Sequence, residues 1–281
     1  MQERSEEDLV EIAQCLARSG YFMEARIIEL LTQQGFFVEA SPSFLDPRTG
    51  KTRELDLIAE RFDWDSSSHH RRVSIKTNFV VEAINNRFPF VLMTPTPFSP
   101  SANHEDYVKC AVTPVSENPF LGELDDFLYT ERNPSDENLF SQFAEITRKN
   151  GRSELMASHG DGTYQSLLKM SEYIEERVAE FNETFGEQDR YWRLHFWRPM
   201  LVLGGTLIVQ EPNSADLKLR YADFAQLVFN WHDQDRPRST VIDIVTERYL
   251  LMHMAAICDR DTEMAIKIGD FRTANFHGEE V

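Results

Sequence analysis

The sequence is poor in cysteine and in positive charge. Cys15, Cys110 and Cys258 are its three cysteines, far apart and with no CxxC pair, which argues against a thiolate zinc site or a disulfide framework and fits a reducing cytoplasm. There are 29 Lys+Arg against 47 Asp+Glu, a formal net charge of −18. A protein that coats nucleic acid without selectivity draws most of its binding energy from Lys and Arg on phosphates, so the charge balance argues against that class. Any nucleic-acid partner is expected to bind weakly to the isolated chain, locally or through a metal or a protein partner. Long apolar runs are missing too: Pro199 to Val209 is the longest, it is interrupted by Gly204-Gly205, and it is too short to span a bilayer. The stretch MQERSEEDLVEIAQ holds no apolar core of a secretory signal. The expectation is a cytoplasmic protein with no membrane partner. The eight histidines show no HxH or HExxH spacing, and His69-His70 reads as a solvated loop pair. Gly204-Gly205 has neither the Lys-Ser/Thr of a phosphate loop nor a GxGxxG pattern, so it reads as a turn or a close-packed backbone.

What is present is enough for a core. The 281 residues are 41% hydrophobic and 11% aromatic, which excludes a disordered acidic chain and predicts one or two domains. Residues 1–100 hold 11 basic and 15 acidic side chains and 101–281 hold 18 and 32, so most of the negative charge lies in the later part.

Leu9, Ile12, Ala13 and Leu16 recur at helical spacing up to Gly20, and Met23, Ile27, Leu30 and Leu31 line a second helix that Gly35 stops. Phe36 to Asp46 reads as a strand, Asp46-Pro47-Arg48-Thr49-Gly50-Lys51 as a hairpin turn, and Thr52 to Glu60 as the return strand. Val73 to Asn85 and Phe88 to Met93 follow as strands. Residues 95–134 read as an irregular acidic excursion with a proline-rich start, 138–149 and 164–185 as helices, with Asp161-Gly162 as a turn. Strands are expected over 199–209, 219–231 and 240–245, with a last helix opened by Thr246 and Glu247. The fold class is α/β or α+β, with the later strands either extending the first sheet or making their own.

Three acids stand where a carboxylate is expensive. Glu24 borders the apolar face of the second helix, Asp56 interrupts Glu54-Leu55-Asp56-Leu57-Ile58-Ala59, and Glu82 sits in Phe79-Val80-Val81-Glu82-Ala83-Ile84. Strand alternation sets Leu55, Leu57 and Ala59 on one face and Glu54, Asp56 and Ile58 on the other. Buried carboxylates need a partner, hydrogen bonds or a cation. With no equally buried Lys or Arg evident, the pattern points to a divalent cation with oxygen ligands; the plainer reading of Glu24 alone is a helix-start acid beside Arg26 or Arg18.

The order helix-Glu, hairpin, Glu-Leu-Asp-Leu-Ile-Ala, then an apolar strand ending Val-Val-Glu-Ala-Ile-Asn-Asn resembles the PD-(D/E)XK restriction-endonuclease-like superfamily, over roughly residues 20–93. More weakly, 197–257 is similar to the C-terminal part of longer relatives. The resemblance implies a restriction-endonuclease-like mixed sheet flanked by helices: a nuclease-like core over 1–94, an irregular segment and helical insertion over 95–189, and C-terminal strands and helix over 190–281 packed on or beside the core. It implies that Asp56 and Glu82 hold Mg²⁺ or Mn²⁺ with the help of Glu24, in a phosphodiesterase acting on DNA or another nucleic acid. In that superfamily a lysine two residues after the second acid positions or activates the attacking water. That position is Ile84, an apolar group on the same strand face as Glu82. Lys76 shares the face but lies about 20 Å along the strand at roughly 3.3 Å per residue. Arg87 and Asn85-Asn86 are nearer and are poor general bases. A metal alone still lowers the pKa of a bound water. The alternative is therefore a catalytically impaired nuclease fold serving as a binding or regulatory module, in a defence-type system as the resemblance allows.

Two further features have structural readings that compete with functional ones. Asp243, inside Val241-Ile242-Asp243-Ile244-Val245, is expected to be paired or to cap a helix near Thr246, with a catalytic role second. The aromatic-basic stretch Tyr191 to Trp197 can stack bases, and core burial is its commoner use.

Overall fold

The structure, a computed structural model, describes residues 6–46, 48–64, 73–95, 109–113, 139–148, 154–185, 192–212, 217–233 and 236–276. His69-His70 lies outside the described residues. The chain is mixed α/β. Its framework is a twelve-stranded mixed sheet, with a separate two-stranded hairpin and four α-helices among the described residues.

Helix α1 (Glu6–Arg18) is followed by α2 (Gly20–Gln33), whose Met23, Ile27 and Leu31 recur every fourth residue and are fully buried. Each such side chain contributes about 1.5–3 kcal/mol on leaving water. The helix ends as its sequence requires: Gly35 has φ +84°, its N–H donates to Thr32 and the N–H of Phe36 to Leu31. That is a Schellman closure, and a left-handed residue there favours glycine.

The expected strand from Phe36 to Asp46 is two strands, β1 (Phe37–Ala40) and β2 (Ser43–Leu45), parted at Ser41 with φ 50°. The return strand is likewise split into β3 (Thr52–Glu54) and β4 (Leu57–Trp64). The break is held by the N–H of Ser41 donating to the Asp56 carbonyl and that of Leu55 to the Pro42 carbonyl. Hence the inferred alternation fails at one place: Leu55 joins the core around Ile58, while Leu57 and Ala59 join the opposite one. Between β2 and β3, Asp46 makes the turn. Its carboxylate accepts from the N–H groups of Arg48 and Thr49 and from the Thr49 hydroxyl, and Gly50 supplies the positive φ.

Strands β5 (Val73–Ile84) and β6 (Phe90–Pro95) lie where the sequence places them. Within the stretch read as irregular, β7 (Lys109–Thr113) pairs with the sheet. The segment read as a helix over 138–149 is strand β8 (Leu139–Arg148). Its buried Leu139, Phe140, Phe143 and Ala144 mimic helical spacing because β8 is covered on both faces between its neighbours, so adjacent residues are buried together. Next come β9 (Leu155–Ser158) and α3 (Asp161–Phe185), which begins at the Asp161-Gly162 pair read as a turn. The run Pro199 to Val209 contains the end of β10 (Trp192–Leu203) and most of β11 (Leu207–Gln210), parted at the two glycines. A Cβ on Gly205 would stand 2.2 Å from the Asn86 carbonyl oxygen and one on Gly204 2.9 Å from the Met23 sulfur, so both are close-approach positions. Strands β12 (Leu219–Ala222), β13 (Phe224–Asp233) and β14 (Arg236–Thr246), a 3-10 turn (Glu247–Tyr249) and α4 (Leu250–Phe276) complete the described chain.

The sheet order is β1-β4-β5-β10-β14-β13-β8-β6-β11-β12, with β7 beside β10 and β9 beside β8. The later strands thus extend the first sheet. β10 runs parallel to both β5 and β14 at its heart. One face is covered by α3, with Val80, Leu201 and Ile244 against Leu167, Met170 and Ile174. The other is covered by α2 and α4, with Phe79, Val81 and Met200 against Ile27, Leu250 and Met254. The aromatic stretch of β10 divides between these faces, with Phe196 and Trp197 both buried, so core packing accounts for it. Burial, then Lys76 and Arg193, lower the His195 pKa to about 3, leaving a neutral imidazole in the wall. No described helix is long and apolar enough to cross a membrane.

Candidate functional site

Asp56 and Glu82 meet because β4 runs antiparallel to β5 with Leu57 opposite Val81. One step further along this register sets Asp56 against Glu82. The contact is reciprocal: the Asp56 N–H donates to Glu82 Oε1 at 3.2 Å and the Ala83 N–H donates to Asp56 Oδ2 at 2.8 Å. The position of Asp56 in the β3–β4 break, rather than mid-strand, frees its side chain to curl onto the next strand. Glu82 is 3% exposed and points to the face under α3, the face it shares with Ile84.

An ammonium reaches Glu82 from α3. Lys169 of α3 places Nζ 2.7 Å from Glu82 Oε1. Helix α3 is pinned over the strand by Leu167, Leu168 and Met170, all buried, and Lys169 reaches down between them. One turn on, Glu172 pairs with Arg48 of the hairpin turn, where Arg53 Nη2 is 2.5 Å from Asp46 Oδ2. The hairpin and α3 are thereby locked together beside the acids. Sequence reasoning missed Lys169. Its signal was a single lysine inside the apolar stretch Leu167-Leu168-Lys169-Met170, three residues ahead of Glu172.

Neither of the other proposed cations serves the site. Lys76 is paired to Glu60 at 2.6 Å, and Arg87 lies over the Phe88 ring. Asn85 donates to the carbonyls of Ala17 and Ser19; Asn86 accepts from the Gly205 N–H and donates to Phe88. The two asparagines tie the strand end to its surroundings.

The electrostatics are unbalanced. Burial raises the pKa of Glu82 well above the carboxylate range, and Asp56 raises it further, against the pull of Lys169 and Ser166. Burial also raises Asp56, partly offset by the Ala83 N–H and Lys169. Glu24 is raised by burial first and then by Asp56 and Glu54, with Lys169 opposing, which places it in the same field. The Lys169 contact favours an ionised Glu82 while burial beside Asp56 favours a protonated one. One ammonium faces two inner carboxylates, with Glu24 and Glu54 adding to the excess. The site is short of positive charge.

The donor set fits a hard divalent cation in chemistry, since Asp56 and Glu82 supply adjacent carboxylates with one ammonium beside them. It is a sparse set. Among the described residues no group of three or more His, Cys, Asp or Glu side chains is arranged to hold a metal ion. Asp243 lies on the opposite face of the sheet, where it is paired: Oδ1 accepts from Gln226 Nε2 and Oδ2 lies at 2.8 Å from His253 Nε2.

Compared with known proteins, the chain matches no family model, no curated protein and no solved structure.

Proposed function

We propose that the chain is a divalent-cation-dependent phosphodiesterase of nucleic acid, of PD-(D/E)XK type, in which Lys169 of α3 takes the part of the lysine replaced by Ile84. The observation that carries this reading is the Lys169 ammonium at 2.7 Å from Glu82, with Asp56 hydrogen-bonded to the same acid. A buried pair of carboxylates with one lysine is costly as a structural device and suited to phosphoryl chemistry, where positive groups must meet phosphate oxygens. Asp56 and Glu82 would hold Mg²⁺ or Mn²⁺, and Glu24 would act from the helix side. When bound, such a cation supplies charge neutralisation and a water of lowered pKa. Lys169 would orient an attacking water or contact the phosphate. The reading is also supported by the element order, in which α2, β1, β4 and β5 precede α3 and a β10 that runs parallel to β5, as the resemblance would require. DNA is the substrate the resemblance implies, held weakly by a chain of net charge −18 unless a more basic partner assists.

The test is calorimetry with Mn²⁺ and Mg²⁺ together with cleavage of single- and double-stranded DNA and RNA, on the native protein, Asp56→Ala and Lys169→Met. Metal-dependent cleavage lost in both variants is the expected result. Neither heat nor cleavage in the native protein would sink the reading. Heat without cleavage would favour the second reading, an impaired nuclease fold kept as a binding or regulatory module, which the sparse ligand set supports.

A further inference from the structure

On the face of the sheet away from Lys169 there is a second polar cavity of about 220 Å³, walled by β10, β13, β14 and α4. Its polar groups are Lys109 of β7, which pairs with Glu175, Arg198 of β10, Gln226 of β13, Asp243 of β14, and Tyr249, His253 and Arg260 from the final 3-10 turn and helix. The acids here are already satisfied. Asp243 is engaged on both oxygens, by Gln226 and His253. Asp261, behind the wall, pairs with Arg198 and accepts from the Thr77 hydroxyl at 2.8 Å. The His253 ring is held on Asp243 and against Phe224, with centroids 4.1 Å apart.

The donors are left over. Arg198 has a buried Nε with no hydrogen-bond partner, although its side chain is only 15% exposed. A buried guanidinium N–H without an acceptor is costly, and Arg198 borders a cavity in which Arg260 is a second guanidinium. In a chain of net charge −18 this is a local surplus of donors over acceptors.

We propose that this cavity is a binding site for a small oxyanion of the phosphate class, held by the spare edge of Arg198 and by Arg260. A guanidinium fork matches tetrahedral oxyanions in two-point fashion. The volume leaves room for a small organic group on the phosphate. The site is on the other side of the sheet from Asp56, Glu82 and Lys169, so it stands whether or not the catalytic reading does.

The experiment is isothermal titration of the full chain with inorganic phosphate at constant ionic strength and without divalent cations, paralleled by the melting temperature over the same concentrations. Saturable binding of one phosphate per chain with a rise in melting temperature is expected. Arg260→Gln is expected to weaken it tenfold or more, and Arg198→Lys, which keeps the charge next to Asp261 but lacks Nε, to do the same with a cooperative melt. Lys169→Met should bind as the native chain does. Absence of saturable binding, equal binding by Arg260→Gln, or loss confined to Lys169→Met would each overturn the proposal. Acetate binding as tightly as phosphate would overturn the assignment to the phosphate class.

Discussion

Asp46 and Asp243 are buried as Glu82 is, and Asp56 lies half-buried beside Glu82, yet the first two titrate in the opposite direction to the second two. Burial raises Asp46, but the Thr49 hydroxyl, the Arg48 and Thr49 N–H groups and Arg53 outweigh it and hold the carboxyl at about 2. For Asp243, burial is outweighed by His253, Gln226 and Arg198, and the pKa is lowered. Asp56 and Glu82 share one lysine and repel each other, and both are raised. Low solvent exposure is common to three of these acids; what differs is the supply of partners. The first two are complete structural joints, whereas the Asp56–Glu82 pair is charged beyond what the protein itself compensates. Such a deficit is what the proposed cation would relieve.

The largest effect expected from this contrast is on chemistry. Lys169→Met should lower metal-dependent cleavage by about 10²–10³-fold, the scale for losing one preorganised donor, in a chain that still melts cooperatively; equal kcat would show that the lysine is a joint like Arg53. Moving the ammonium back to the strand sharpens the point. Lys169→Met with Ile84→Lys should recover part of the lost kcat, because Ile84 is half-buried on the face of Glu82, and recovery is read by single-turnover cleavage.

The balanced acids are expected to answer in stability. Asp46→Asn should cost about 2 kcal/mol at pH 7 by urea unfolding. The sign follows from a folded pKa of about 2 against an unfolded value near 3.9: the contribution is present above pH ~4 and is lost as pH falls from ~4 to ~2, so native and variant should converge there. Glu82 runs the other way. Its folded pKa is raised, so its favourable contribution is present below the unfolded pKa and is lost as pH rises through the folded one. In cation-free buffer the native protein should therefore lose stability relative to Glu82→Gln as pH rises from ~4.5 through about 7. A constant difference would show that Lys169 neutralises Glu82 fully. The smallest effect is expected of Asp243→Asn, about 1–2 kcal/mol with cleavage unchanged, since it lies on the other face.

Much of the site's raw material was legible. Buried-sounding acids at Glu24, Asp56 and Glu82, the turn at Asp46 and the stop at Gly35 follow from local rules, because their causes lie within a few residues. Where the causes are distant, the reading went astray. β8 looked helical because two-sided burial erases strand alternation, and β7 carried no signal that its polar surroundings did not mask. Asp56 seemed to be mid-strand because the break is held by Ser41 and Pro42, fourteen or fifteen residues earlier.

The sequence by itself determined an acidic α/β chain with two apolar-flanked carboxylates and an apolar residue where a lysine was expected, since composition, strand periodicity and spacing are properties of neighbours in the chain. Only the tertiary structure decided that β10 lies between β5 and β14 and that α3 crosses the sheet to set Lys169 on Glu82. It also decided that Asp243 is neutralised on the far face while Asp56 and Glu82 are not. Those outcomes depend on which segments, more than eighty residues apart for Glu82 and Lys169, are packed into contact, and charge balance in a buried site is a property of that contact.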